Sequence, residues 1–117
     1  MRYEEAPHLH HDEATHVLEQ ALDEAETSYA HDVVIGLGLF DDDQVSVEDW
    51  CRRLGTEAAD PALRASAALA AAHLARRFGR LAPETQMMVR AVAADPTVDG
   101  RKHDALEDVK HFVVSRD

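Results

Sequence analysis

The chain has 117 residues, 45% apolar and only 5% aromatic, with one cysteine and a net charge of −11. That length supports one hydrophobic core, burying roughly 65% of the unfolded chain's surface. A second domain, an intramolecular disulfide and a membrane span of ~20 apolar residues are not expected.

The apolar residues are mainly alanine and leucine, which suits closely approaching helices better than packed sheets, so the expected class is all-α. Residues 1–10 read as a polar, flexible start. Ala14, Val17, Leu18, Ala21, Leu22 and Ala25 then recur at spacings of three and four, placing a first amphipathic helix over about 12–25. The apolar run from Val33 to Phe40 is ambiguous. Its β-branched residues favour a strand, while Tyr29, Val33, Gly36, Leu37 and Phe40 also fit one helical face, and the helical context favours a helix. Gly36 and Gly38 in such a helix imply a close neighbour or a bend.

Asp41-Asp42-Asp43 ends that element, and Ser46 with Asp49 three residues on resembles a capping box opening a third helix. Its inward face reads Val47, Trp50, Cys51, Leu54 and Ala58. On that stripe Cys51 is expected to be a small buried hydrophobe. Asp60-Pro61 supplies a capping carboxylate followed by a proline at the first helical position, where no N–H is needed, and so starts a fourth helix. This helix carries Leu63, Ala67, Ala70, Leu74 and Phe78 inward and ends at Gly79. Pro83 opens a fifth, with Met87, Met88 and Val92 inward, and Asp95-Pro96 leads into a sixth with Val98, Ala105, Leu106, Val109, Phe112 and Val113.

The phrases Ala59-Asp60-Pro61 and Ala94-Asp95-Pro96 lie 35 residues apart. A repeat in the mid-thirties with a helix on each side of the turn is the arithmetic of a helical-hairpin solenoid, here of about three hairpins. Asp49-Trp50, Asp60-Pro61-Ala62-Leu63-Arg64 and His73-Leu74-Ala75-Arg76-Arg77-Phe78-Gly79 resemble a family of small bacterial HEAT-like proteins. Asp95-Pro96-Thr97-Val98, Gly100-Arg101 and Asp104-Ala105-Leu106-Glu107-Asp108-Val109 look like that family's closing segment. The resemblance covers roughly residues 30–114 and implies a short right-handed α-solenoid forming a single domain over 1–117. Some proteins of this kind resemble immunity proteins of contact-dependent toxin systems, which block a cognate toxin by binding without catalysis. Ala72 stands where that pattern usually has glycine, and the fourth helix is unusually alanine-rich, so a shared partner does not follow from the shared pattern.

Charge adds a second line of argument. Residues 1–50 hold 14 acids against Arg2 alone, a balance of −13, whereas residues 51–117 hold 9 acids and 11 bases, a balance of +2. Such a half repels nucleic acid and acidic membranes and attracts basic partners over about a Debye length. Asp12, Glu19, Asp23 and Glu26 fall along one face of the first helix, and Asp41, Asp42, Asp43, Glu48 and Asp49 extend the anionic surface at the next turn. These nine are the candidate partner-binding residues.

No catalytic constellation is legible. His73 lies beside Arg76 and Arg77 with no nucleophile, and Ser66 has no base or orienting acid in its vicinity of sequence, so packing roles are expected, as for His31, His103 and His111. Arg64, Arg76, Arg77, Arg80 and Arg90 could form a basic strip but are expected to bond carboxylates or helix-end carbonyls of adjacent hairpins rather than nucleic acid. His8, His10, His11 and His16 form the one metal-like cluster. A structural site wants four ligands on a fixed scaffold, so no metal and no cofactor are assigned.

The sequence is therefore read as a cytoplasmic, non-enzymatic protein-binding module whose acidic N-terminal half takes a basic protein, on the resemblance a cognate toxin such as a nuclease. The alternative is a self-associating HEAT-like scaffold, a homodimer built through apolar end faces that include Phe112, Val113 and Val114.

Overall fold

The computed structural model describes residues 11–21, 28–58, 60–98 and 102–113, with backbone alone at 11, 12, 28 and 102–104. These residues form six helices and no strand: α1 His11–Ala21, α2 Ser28–Phe40, α3 Gln44–Glu57, α4 Pro61–Phe78, α5 Pro83–Ala94 and α6 Lys102–Phe112. The all-α expectation holds, and the expected extension of the first helix to residue 25 lies outside the described residues.

The ambiguous run from Val33 is helical. Residues 33–38 are all buried, so α2 is apolar around its whole circumference and shows no clean face in its sequence. Gly38 marks its closest neighbour: a Cβ built there would lie 2.7 Å from the carbonyl oxygen of Ala70 and 3.0 Å from its Cα. Glycine is what lets the α2 and α4 backbones touch.

Helix α3 starts three residues earlier than the Ser46–Asp49 box predicts. Asp43 is the cap, its Oδ1 accepting the Ser46 N–H at 3.2 Å. The third aspartate of the run reaches the first-turn amides before Ser46 can, leaving Asp49 on the outer face. Helix α4 begins as expected: Asp60 Oδ1 accepts the Ala62 N–H at 3.0 Å and Pro61 occupies the first turn. It ends at Gly79, whose φ of 71° is the left-handed conformation that side chains resist. Pro83 opens α5.

The second Asp-Pro phrase does not start a helix. Asp95 closes α5, and its Oδ1 accepts both the N–H and the hydroxyl of Thr97, at 2.9 and 2.7 Å. Thr97 supplies a second donor that Ala62 lacks, so the carboxylate is used up in a turn and α6 begins only at Lys102. Hydrogen bonds from Thr97 hold the Asp95 carboxyl below the usual carboxylate range.

Helix α4 is the centre of the packing, with α2, α3 and α6 all lying against it; α1 packs on α2, and α5 on α3 and α6. Its buried positions include Leu63, Leu74 and six alanines, so its neighbours approach a nearly smooth cylinder. Leu18, Ile35, Leu54, Val47, Val89 and Val98 are buried with it in the core. On α5 the inward residues are Thr85, Met88, Val89 and Val92, while Met87, expected inside, is 64% exposed. Consecutive helical residues point about 100° apart, and Met88 holds the inward position.

Candidate functional site

The structure separates the nine acidic candidates. Glu19 is exposed on α1; Asp12 lies in α1 with its side chain outside the described residues, as Asp23 and Glu26 are altogether. The other five gather where α2 meets α3. Asp42 is 95% exposed and Asp49 60% exposed. Asp43 is exposed while capping α3, and Asp41 is half-buried, its Oδ1 accepting the Asp43 N–H at 2.8 Å.

Glu48 is not a surface residue. It is only 6% exposed, and its Oε1 accepts the Ala82 N–H at 2.9 Å and the Thr85 hydroxyl at 2.6 Å, while Oε2 accepts from the Gln44 amide at 3.0 Å. Arg52 reaches Thr85 Oγ1 at 2.9 Å and lies 4.0 Å from the carboxylate. A buried carboxylate is stable in this form because charge and lone pairs are met by donors. Its task is to fasten α3 to the start of α5.

The α2–α3 corner is fixed from beneath by Arg77. One guanidinium nitrogen donates to the carbonyls of Gly38 and Asp41, each at 2.9 Å, and the other to the Asp42 carboxylate at 2.9 Å. Helix C-termini leave carbonyls unsatisfied, and a planar cation with several donors answers them and opposes the negative end of the helix dipole. Gln44 adds a second tie, donating to the carbonyl of Arg80 at 2.8 Å. A recess of about 300 Å³ lies between the two corners, lined by Gln44, Val45, Glu48, Arg80, Leu81 and Ala82.

Two apolar residues lie next to these acids in the chain: Phe40, which the sequence places on the apolar face of α2, and Val45, which falls outside the apolar stripe of α3. Val45 is 80% exposed, and Phe40 is exposed at the end of α2. The available signal was position: each sits within a residue or two of the aspartate run, where helix ends must turn to solvent. Trp50, expected on the inward face of α3, is buried with Arg53 stacked 4.3 Å from its ring centroid.

The other arginines behave largely as expected. Arg64 bonds the Ala58 carbonyl at 2.7 Å, the Thr97 hydroxyl at 3.0 Å and Asp95 at 3.4 Å, and Arg76 pairs with Asp108 at 3.4 Å. Arg80 and Arg90 are exposed.

Ser66 does have a base and an acid near it in space. His31 Nδ1 lies 2.6 Å from Ser66 Oγ, and its Nε2 lies 3.4 Å from Asp60 Oδ2. Residue types and order match a nucleophile, base and orienting acid. Acyl transfer also needs N–H donors free to hold a developing oxyanion. The nearest amides, at the start of α4, are occupied: Ala62 by the Asp60 carboxylate, Leu63 and Arg64 by the Asp60 carbonyl. The three groups link α2 to the first turns of α4.

His73 is buried on α4, and burial, followed by the nearby Arg76, holds its pKa below 6.5 against the weaker pull of Asp108. In the unfolded chain it returns to about 6.5. A base whose folded pKa is depressed costs stability when protonation favours the unfolded state, so its contribution is complete above pH 6.5 and declines as pH falls below it. The urea midpoint is expected to fall from pH 7.5 to 5 more steeply in the wild type than in His73→Gln; parallel slopes would count against this assignment. Burial, reinforced by Glu48 and opposed by Arg52, pushes the Cys51 thiol up to about 12, so it stays a protonated core side chain.

Among the described residues no group of three or more His, Cys, Asp and Glu could hold a metal ion; His8 and His10, and the side chain of His11, lie outside them. No helix among the described residues is long and apolar enough to cross a membrane. Comparison with protein-family models, with curated proteins and with solved structures gave no match to this chain.

Proposed function

We propose that this protein is a non-enzymatic binding module that captures a basic protein at the α2–α3 corner. One observation carries the reading: exposed Asp42 and Asp43 lie between exposed Phe40 and Val45 in the chain, with exposed Asp49 one turn after Val45 on α3, on backbone that Arg77 holds in place. An apolar centre with a charged rim is the make-up of a protein interface, and a corner fixed before binding loses little entropy on docking. The charge of the N-terminal half adds steering toward a cationic partner.

The helix pairing α1 on α2, α3 on α4 and α5 on α6, with α2 and α6 both against α4, supports a short solenoid of three HEAT-like hairpins, for which the sequence resemblance implies a right-handed course. The resemblance of the Asp60-Pro61 and His73–Gly79 segments then gives the specific form of the proposal, an immunity protein neutralising a basic toxin domain such as a nuclease.

The test is to capture partners from lysate of the source cells, elute with rising salt, and measure association kinetics for the protein released. Asp42→Lys with Asp49→Lys is expected to slow association about tenfold or more at low salt with little change in dissociation. An unchanged on-rate would remove the corner from the interface.

A further inference from the structure

A second charged surface lies on α5 and α6. Gln86 and Arg90 are one turn apart on α5, and Leu106 and Lys110 follow one stripe of α6, with Val109 beside them and Val113 just past the helix end. Together they line a groove of about 210 Å³. Its floor is apolar and two cations stand at its edges. Arg52, Arg64, Arg76 and Arg77 each bond a carboxylate or carbonyl of the chain itself. Arg90 is exposed and makes no ion pair among the described residues, and Lys110 has only Glu107 at 4.0 Å. Among the described residues these cations thus have little or no neutralisation beside the apolar Leu106, Val109 and Val113.

At the other end of the chain, α1 packs on α2 and buries Ala14, Leu18 and Ala21, leaving Glu13, Glu19 and Gln20 exposed with Val17 half-buried beside them. An acidic helix edge and a cationic groove are thus carried by the two ends of one chain, in line with balances of −13 and +2 for residues 1–50 and 51–117. From this complementarity we propose that the α5–α6 groove binds the acidic α1 of a second copy, head to tail. The contact is heterologous, so it leaves one free end of each kind and can propagate. It is separate from the α2–α3 corner and goes beyond the binding of a basic partner there.

Each copy carries −11, and that monopole opposes association. Its reach depends on salt: the Debye length is about 30 Å at 0.01 M, 8 Å at 0.15 M and 3 Å at 1 M. The contact pairs lie within a few ångströms and survive at 0.15 M, where the long-range repulsion is screened. Association is therefore expected to peak near 0.15 M and weaken on both sides, whereas a purely apolar dimer would strengthen steadily with salt.

Sedimentation velocity over a concentration series at those three salt levels tests this directly. Arg90→Glu with Lys110→Glu, and separately Glu13→Lys with Glu19→Lys, are each expected to give monomers; all four side chains are exposed, and circular dichroism confirms that the variants fold. Mixing the two variants leaves one intact α1 edge with one intact groove, and the two reversed ends are again opposite in charge, so the mixture should associate although neither variant does so alone. A wild type that stays monomeric at all concentrations, variants that still associate, or a mixture that stays monomeric would each overturn the proposal.

Discussion

Gly38→Ala is expected to lower the stability of the fold by about 2 kcal/mol, although glycine-to-alanine changes inside helices ordinarily raise stability by up to about 1 kcal/mol. The reversal comes from one contact. The new methyl would sit 2.7 Å from the Ala70 carbonyl oxygen, well inside van der Waals separation, and its neighbour is backbone, which cannot swing aside as a side chain can. Helix α2 would have to withdraw from α4 along its length, loosening the buried packing of Val33, Val34, Ile35 and Leu37. Urea denaturation gives the answer in the midpoint, since a small domain loses about 1–3 kcal/mol per molar urea. A higher midpoint would mean that the two backbones do not touch.

Glu48→Ala is the other large effect, at about 3 kcal/mol. The Ala82 N–H and the buried Thr85 hydroxyl would lose their acceptor, and an unsatisfied buried donor costs roughly 1–3 kcal/mol. Glu48→Gln keeps one carbonyl oxygen for these donors but turns an amide toward another group, so its cost should fall between. Asp49→Ala, one residue along the same helix, is expected to change stability by no more than about 0.5 kcal/mol, because its ion pair with Arg52 at 3.7 Å is exposed. Binding kinetics should show the opposite order, Asp49 mattering and folded Glu48→Gln not. Equal stability effects at the two positions would return Glu48 to the surface.

That contrast also shows how far residue patterns can be read. The helix ends at Asp60 with Pro61, Gly79 and Pro83 were legible: they act through local donors and backbone angles, and they stand where local chemistry puts them. Helix α2 was harder because burial on all sides erases the periodicity that identifies a face. Asp95 repeats the phrase at Asp60 but gives a turn, since the outcome depends on the hydroxyl of Thr97, two residues later.

The candidate surface was partly legible for the same reason. Asp42, Asp43 and Asp49 lie where charge and helix ends predict, at a corner in water. Glu48 looked equivalent in sequence, and only its distant partners Ala82 and Thr85 distinguish it. Phe40 was read on the apolar face of α2, because apolar character alone does not say which side of a helix end is covered, and Val45 falls outside the apolar stripe of α3. The Ser66, His31 and Asp60 grouping joins residues 35 and 29 positions apart and has no local signature.

The alanine surface of α4 has a consequence for how such a protein can diversify. Alanine has no side-chain torsion to adjust, so a frame built on it has no spare shapes into which an enlarged neighbour could settle. Substitutions along that axis are refused rather than absorbed. Lineages acquiring new recognition would therefore keep the axis unchanged and rewrite the outer corners, much as a key blank keeps its shank while its teeth are recut.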